Sequence, residues 1–100
     1  MTRSDVRRCL VAYDISSDRR RDRVAKRLQA YGDRVQYSVF IVDASPVRLQ
    51  RLRFRLQELV DPIEDSVLFC DLGLAAGADG SRFSYLGKSR PITVDASFVV

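Results

Sequence analysis

VAYDISSDRRRDRVAKRLQAYGDRVQYSVF, residues 11–40, combines an apolar strand that ends in an acid, an arginine-rich helix, a glycine and a second strand. The acid is Asp14, which interrupts an apolar run of the kind that makes a buried strand. A desolvated carboxylate without a partner costs several kcal/mol, so Asp14 has to be paired, hydrogen-bonded or bound to a metal. It could cap the following helix. However, Ser16, Ser17 and Asp18 are better placed for capping, which leaves Asp14 available for chemistry.

The periodicity of the chain predicts two helices and five strands. The first helix covers residues 18–31 and has Gly32 as its C-terminal stop. The second helix begins with Ser45 as its cap and Pro46 in its first turn, and it ends before residue 61. The predicted strands are residues 8–15, 35–42, 66–72 and 83–86, with a short last strand within 92–100.

These elements predict an α+β fold of the ferredoxin-like type, β-α-β-β-α-β, in which two helices cover one face of a four-stranded antiparallel sheet. The other face then needs either water or a second subunit. Large apolar side chains in residues 35–42 favour a homodimer packed sheet against sheet. The last strand, within residues 92–100, is expected to be exchanged with the partner subunit or packed on it; the alternative is that it packs on its own sheet.

The size and composition of the chain set further limits. One hundred residues suffice for a single domain, so residues 1–100 are expected to share one core. No apolar run approaches the ~18 residues of a membrane helix and no signal peptide is present, which predicts a cytoplasmic protein without membrane association. Cys9 and Cys70 each lie in an apolar run, so both are expected to be reduced core residues.

The basic residues are concentrated in the first part of the chain. Residues 1–60 carry fourteen Lys and Arg against seven Asp and Glu, whereas residues 61–100 carry three against six. Fifteen of the seventeen basic residues are arginine, whose planar guanidinium matches a phosphate group well. This distribution favours a nucleic-acid partner, although a run of charges is also typical of a solvated face.

Several residues of the opening stretch form a recognisable signature. They are Tyr13-Asp14-Ile15, Arg21 and Arg23, Gly32, Arg34-Val35-Gln36 and Ser38-Val39-Phe40. In this pattern the chain resembles the CRISPR-associated protein two family, which comprises small ferredoxin-like endoribonucleases and endonucleases of the CRISPR adaptation module. The order of the predicted elements agrees with that family over the whole chain.

The resemblance implies a homodimer in which the catalytic Asp14 faces Asp14 of the partner subunit, and the two hold a divalent metal, usually Mg²⁺. The implied substrates are single-stranded RNA, double-stranded DNA or both, and the implied partners include subunits of the CRISPR integrase. The other site residues carried over from the family are the phosphate contacts Arg21, Arg23 and Arg34, and the site-lining residues Tyr13, Ser38 and Phe40.

The acids and bases available for catalysis are few. Two copies of Asp14 would suit Mg²⁺, which is often bound by one or two carboxylates and several waters. The chain has no histidine, so a histidine general base is excluded and cleavage would depend on water activated by the metal. Many family members have a glutamate where this chain has Ile41, which leaves Asp43 as the candidate accessory acid.

Two other functions remain open at this point. The first is a non-catalytic dimeric scaffold that binds DNA through its arginines within the spacer-integration complex. The second is a small regulator that binds a protein or a metabolite, which has less support because no ligand motif is present.

Overall fold

The computed structural model describes residues 5–78, 82–90 and 92. Four strands form one antiparallel sheet in the order β2-β3-β1-β4, so β1 is an interior strand between β3 and β4. This arrangement confirms the predicted α+β ferredoxin-like fold. The elements, in chain order, are β1 Arg7–Asp14, α1 Asp18–Gln29, β2 Gly32–Gln36, β3 Val39–Ala44, α2 Pro46–Leu59 and β4 Ser66–Leu74.

Both helices begin at a serine cap. The hydroxyl of Ser17 accepts a hydrogen bond from the backbone N–H of Arg20 at 3.3 Å, and the hydroxyl of Ser45 accepts one from Arg48 at 3.3 Å. Each bond satisfies one of the N–H groups that the first turn of a helix leaves without a partner. Because Ser17 fills this position, Asp14 is not the cap of α1. No helix of the described residues has the length and apolar character needed to cross a membrane.

The core lies between the two helices and one face of the sheet, which we call the helix face. Alternate residues of β1 and β3 point towards the helices, as the pleat of a strand requires. On that face Val11 pairs with Phe40 and Cys9 with Val42. The largest fully buried side chains are Phe40, Leu28, Leu52, Leu56, Val11, Val24 and Val42.

The opposite face of the sheet, the open face, carries the intervening residues of the same strands. Leu10 pairs with Ile41 and with Cys70, and Ala12 pairs with Leu68. Leu68 is 59% exposed. Near the start of β4 this face is therefore apolar and open among the described residues.

The strand predicted for residues 35–42 is wrong, because the structure has a hairpin there. β2 ends at Gln36, β3 begins at Val39, and Tyr37 and Ser38 form the turn between them. The register shifts between Arg34 and Gln36, which marks a β-bulge at Val35. Tight hairpins usually need residues with positive φ, but neither turn residue has one, so the asparagine and glycine signals of a hairpin are missing.

The chain after β4 also differs from the prediction. Residues 83–86, predicted as a strand, form none; Phe83 to Leu86 instead line a cavity on the open face with Leu10, Val35 and Val39. The sheet has its four strands without residues 83–86, because residues 32–44 form two strands and not the single strand that was predicted. The last strand was predicted within residues 92–100, of which only residue 92 is described.

Two smaller predictions need correction. Gly32 does not stop α1, which ends at Gln29 with Ala30 as its cap; Gly32 is the first residue of β2. A Cβ atom at position 32 would lie 2.1 Å from the carbonyl oxygen of Ile41, so this glycine allows β2 and β3 to approach closely. Cys9 is buried as expected, whereas Cys70 is exposed because it points to the open face.

Candidate functional site

Asp14 lies at the C-terminal end of β1 and is exposed. It pairs with Ser66 of β4 across the sheet. Because side chains alternate along a strand and Tyr13 is buried on the helix face, Asp14 points to the open face. The expectation that Asp14 is buried is therefore wrong for the single chain, and its carboxylate remains accessible to a ligand or to a second subunit.

The hairpin turn is held beside the end of β1. The backbone N–H of Tyr13 donates to the carbonyl oxygen of Ser38 at 3.0 Å. The Tyr13 hydroxyl donates to the carbonyl oxygen of Tyr37 at 3.3 Å, and its ring lies 6.3 Å from the Phe40 ring in a stacked arrangement. Tyr13, Ser38 and Phe40 thus form the structural frame next to Asp14.

Arg21 connects α1 to both the strand end and the turn. Its Nη1 donates to the carbonyl oxygen of Ile15 at 3.0 Å, and its Nε donates to the Tyr37 hydroxyl at 3.2 Å. The same guanidinium forms a salt bridge with Asp18. The hydrogen bonds to Asp18 and then to Tyr37 raise the pKa of Arg21 above its ordinary value. Arg21 therefore fixes the position of the backbone that follows Asp14.

Arg34 lies on β2 between two aromatic rings. Its guanidinium carbon is 5.2 Å from the centre of the Phe40 ring and 5.8 Å from that of Tyr37, within the range of a cation–π interaction. Its buried Nε has no hydrogen-bond partner within the described part of the chain. Arg34 pairs with Phe40 in the sheet, so its side chain lies on the helix face.

Arg23 differs from the other two predicted phosphate contacts, because it lies fully on the exposed surface of α1. The structure brings Arg21 and Arg34 to the same tyrosine, Tyr37, beside the end of β1. Arg23 is two residues away from Arg21 along α1, on the solvent side. Of the three arginines, Arg23 is the one best placed to meet a phosphate without breaking an internal contact.

Asp43 is not available as an accessory acid. Its two carboxylate oxygens accept hydrogen bonds from Arg8, at 2.9 Å from Nε and 3.0 Å from Nη2. The side chains are only 4% and 7% exposed for Arg8 and Asp43. The hydrogen bonds to Asp43 raise the pKa of Arg8 above its ordinary value. The open face is covered at this end, where Leu72 to Leu74 and Phe83 line a cavity of about 400 Å³ beside Arg8.

The described residues of a single chain contain no group of three or more His, Cys, Asp or Glu side chains that could hold a metal ion. Asp14 alone is a thin ligand set, because Mg²⁺ is usually bound through one or two carboxylates and several waters. A metal at Asp14 would fit only if a second carboxylate came from another chain, which the position of Asp14 on the open face allows.

Tyr37 is the residue of this region that the sequence interpretation missed. Tyr37 is 63% exposed, and its ring contacts both Arg21 and Arg34. It was assigned to a continuous strand, where alternation would have placed it on a sheet face. The available signal was its position between two signature residues, Gln36 and Ser38.

Comparisons with known proteins show the family of this chain. The family model described as CRISPR associated protein Cas2 matches residues 7–76. The CRISPR-associated endoribonuclease Cas2 3 of Rhodospirillum rubrum is 45% identical over an alignment of 69 residues, which covers 64% of this chain and 73% of that protein. The protein of the same name from Synechocystis sp. is 44% identical over 63 residues, covering 63% of this chain and 68% of its own length.

The fold is shared with solved structures as well. The crystal structure of Streptococcus pyogenes Cas2 superposes with a TM-score of 0.72 and 33% identity, covering 80% of this chain and 99% of that chain. A hypothetical protein from Thermus thermophilus, TT1823, superposes with a TM-score of 0.72 and 34% identity, covering 88% and 99%. Since the family model covers more than half of the residues, this chain belongs to the Cas2 family of CRISPR-associated proteins.

Proposed function

We propose that this chain is a CRISPR-associated endoribonuclease that works as a homodimer and requires a divalent metal such as Mg²⁺. Relatives at 44–45% identity carry the name endoribonuclease. The observation that carries the proposal is the position of Asp14, an exposed carboxylate at the end of an interior strand, on the sheet face without helices. The residues around it are tied in place by Tyr13 and Arg21.

A homodimer would supply the second carboxylate that a metal site at Asp14 needs. Two copies of the chain that meet through their open faces about a twofold axis bring the same residues of each copy together. Asp14 and the exposed Leu68 both lie on that face, and they are two residues apart in the β1–β4 register. Burial of the apolar side chains would stabilise the contact, and it would place Asp14 near Asp14 of the partner subunit.

The two Asp14 carboxylates would hold the metal between the subunits. When bound, a divalent cation supplies an activated water and stabilises the negative charge that develops on the phosphate. The contributions of the chain itself are positional. The frame of Tyr13 and Ser38 fixes the end of β1, and Arg21 holds the carbonyl oxygen of Ile15 so that Asp14 keeps its direction.

The arginines of α1 and α2 would bind the RNA backbone. Residues 18–29 contain five arginines and residues 46–59 contain four, and most of these side chains are exposed. Contacts of this kind are independent of base sequence and weaken steeply with salt, because each neutralised phosphate releases counterions. Of the three predicted phosphate contacts, only Arg23 is exposed to solvent, and it lies two residues from Arg21 on α1.

The proposal is tested with purified Asp14→Asn and a labelled single-stranded RNA, with and without Mg²⁺. The substitution keeps size and removes charge, so cleavage should fall about 100-fold or more while the mass of the oligomer stays the same. Asp22→Asn, an exposed aspartate of α1, is the matched control and should cleave as the wild type does. Activity that survives Asp14→Asn would contradict the proposal. Double-stranded DNA is the second substrate in the same assay.

A second candidate function is a dimeric DNA-binding scaffold of the spacer-integration complex that bridges integrase subunits without cutting. One observation favours it: most of the arginine side chains of α1 and α2 are exposed and available to phosphates. A scaffold needs only phosphate contacts. In the assay above, a protein that binds double-stranded DNA but cleaves neither nucleic acid at any Mg²⁺ concentration would support the scaffold and reject the nuclease.

A further inference from the structure

Tyr37 is exposed and yet held in place. The residue is 63% exposed, although a large aromatic side chain gains free energy when it is buried. The hydroxyl accepts a hydrogen bond from Arg21, the carbonyl oxygen accepts one from Tyr13, and the Arg34 guanidinium lies 5.8 Å from the ring centre. A side chain fixed at its tip, at its backbone and at its ring is preorganised for contact with something outside the chain.

The two arginine neighbours of Tyr37 lie near the ring and leave part of the residue exposed. The Nε of Arg21 donates to the Tyr37 hydroxyl at 3.2 Å, and the Arg21 guanidinium carbon lies 5.8 Å from the ring centre. The other guanidinium, of Arg34, is closer to the Phe40 ring at 5.2 Å than to the Tyr37 ring at 5.8 Å. Because Tyr37 is 63% exposed despite these two contacts, much of its surface is accessible, and two positive charges lie beside it.

We propose that Tyr37 is a stacking platform for one unpaired base of a single-stranded RNA whose backbone passes Asp14. The inference rests on the proposed endoribonuclease function and adds a residue that would bind its substrate. The turn that carries Tyr37 is bonded directly to the strand end that carries Asp14, through Tyr13 N–H to Ser38. A base on the ring and its phosphate at the adjoining arginines would present the next phosphodiester to Asp14.

The chemistry of the platform selects single strands. A base in a duplex already stacks on both neighbours, and an aromatic ring outside the helix cannot reach its face. An unpaired base has an open face of about the size of a tyrosine ring, and such stacking tolerates any base. The flanking arginines add attraction for the phosphate that follows the base.

The platform stays accessible in the proposed dimer. The guanidinium neighbours of Tyr37 come from α1 and from the helix face of β2, where Arg34 pairs with the core residue Phe40. The dimer contact lies on the opposite, open face around Leu68. A partner subunit on that face leaves the helix-side contacts of Tyr37 unchanged.

The experiment measures binding of a labelled single-stranded RNA and of an RNA duplex of the same length to dimeric protein in EDTA, by fluorescence anisotropy. Tyr37→Leu removes the ring and should weaken single-strand binding about tenfold while duplex binding stays within error. Tyr37→Phe keeps the ring and should restore most of the affinity. Phe54→Leu, which removes a 60% exposed aromatic ring on α2, is the matched control and should bind as the wild type does.

A second measurement reports stacking directly. Single-stranded RNA with one 2-aminopurine should show quenched fluorescence at one register when the wild type binds, and the quenching should disappear with Tyr37→Leu. If the wild type binds and cleaves RNA but Tyr37→Leu has the same affinity and the same quenching, the platform is wrong while the nuclease stands. If the wild type neither binds nor cleaves RNA, both proposals fail. An equal loss of single-strand and duplex binding would also overturn the platform.

Discussion

Arg8 and Asp43 form the most deeply buried ion pair of the described residues, and this burial makes each charge depend on the other. Arg8 on β1 and Asp43 on β3 are directly opposite in the register, and both point to the open face. The segment after β4 is held over them, since the N–H of Ala75 donates to the carbonyl oxygen of Val6 at 2.8 Å. A charge in such a place is tolerated only while its partner is present.

We therefore predict that Arg8→Met destabilises the chain by about 3–5 kcal/mol, because it leaves the Asp43 carboxylate buried without a counter-charge. The double variant Arg8→Met with Asp43→Leu should recover most of that loss. Urea denaturation measures both. The control is Arg7→Met with Asp71→Asn, a pair on neighbouring strands whose side chains are 36% and 58% exposed. Exposed pairs contribute at most about 1 kcal/mol, so an equal loss there would refute the role of burial.

At the scale of elements, α1 is tied to the loop before β4 by Arg20 and Asp65. Arg20 donates to both carboxylate oxygens of Asp65, at 2.6 Å from Nε and 3.1 Å from Nη2. The N–H of Asp61 donates to the same carboxylate at 2.8 Å. The pKa of Asp65 is lowered, and the hydrogen bonds from Arg20 are the largest cause. Burial opposes this effect, and the hydrogen bond from the Asp61 N–H adds to it.

This tie should appear in the pH dependence of stability. Because the pKa of Asp65 is lower in the folded chain than the ordinary 3.8, its contribution is complete above pH 3.8 and is lost as the pH falls through the lowered pKa. Asp65→Asn should lower the Tm at neutral pH, and the difference from the wild type should shrink in acid. Glu64→Gln, which removes the 63% exposed partner of Arg20, should change the Tm little. A difference that stays constant down to pH 2 would contradict this reading.

The elements also show what the sequence could predict. Both helix starts were predicted correctly, because a serine cap is a local signal. The Tyr37–Ser38 turn was missed since its backbone uses no positive φ and a bulge at Val35 adjusts the strands instead. The pairing of Asp43 with Arg8 could not be predicted either, because the two residues are 35 positions apart and meet only through the sheet register. Residues of the family signature do lie near Asp14. Its exposure was not predicted, because the apolar run around it is typical of a buried strand.

At the scale of the whole molecule, the sheet is covered unequally. α1 and α2 bury one face, while the other is covered by the segment around Phe83 near Leu10 and Val39 and is open at Leu68. An exposed apolar patch on a sheet face without helices usually marks an interaction site. Asp14 lies at the border of this patch, so association would change the surroundings of the carboxylate as well as the stability of the chain.

We expect light scattering at micromolar concentration to give twice the chain mass of 11.4 kDa. Leu68→Glu places a charge on the open face and should shift the protein to the monomer mass, because burying an unpaired carboxylate is costly. The control is Ile63→Glu, at a 91% exposed isoleucine in the loop before β4, and it should remain a dimer. A wild-type monomer would contradict the proposed dimer, and a dimer that Leu68→Glu leaves intact would place the subunit contact elsewhere.

The absence of a left-handed residue in the Tyr37–Ser38 turn has a consequence for how this protein can evolve. A turn that requires positive φ is restricted to glycine, asparagine and aspartate, and it cannot change its side chain freely. This turn carries no such requirement, so position 37 can accept aromatic, aliphatic or charged residues while the hairpin keeps its shape. Variation at one codon could therefore alter what the molecule touches without altering how it folds, and descendants could diverge in ligand preference on an unchanged scaffold.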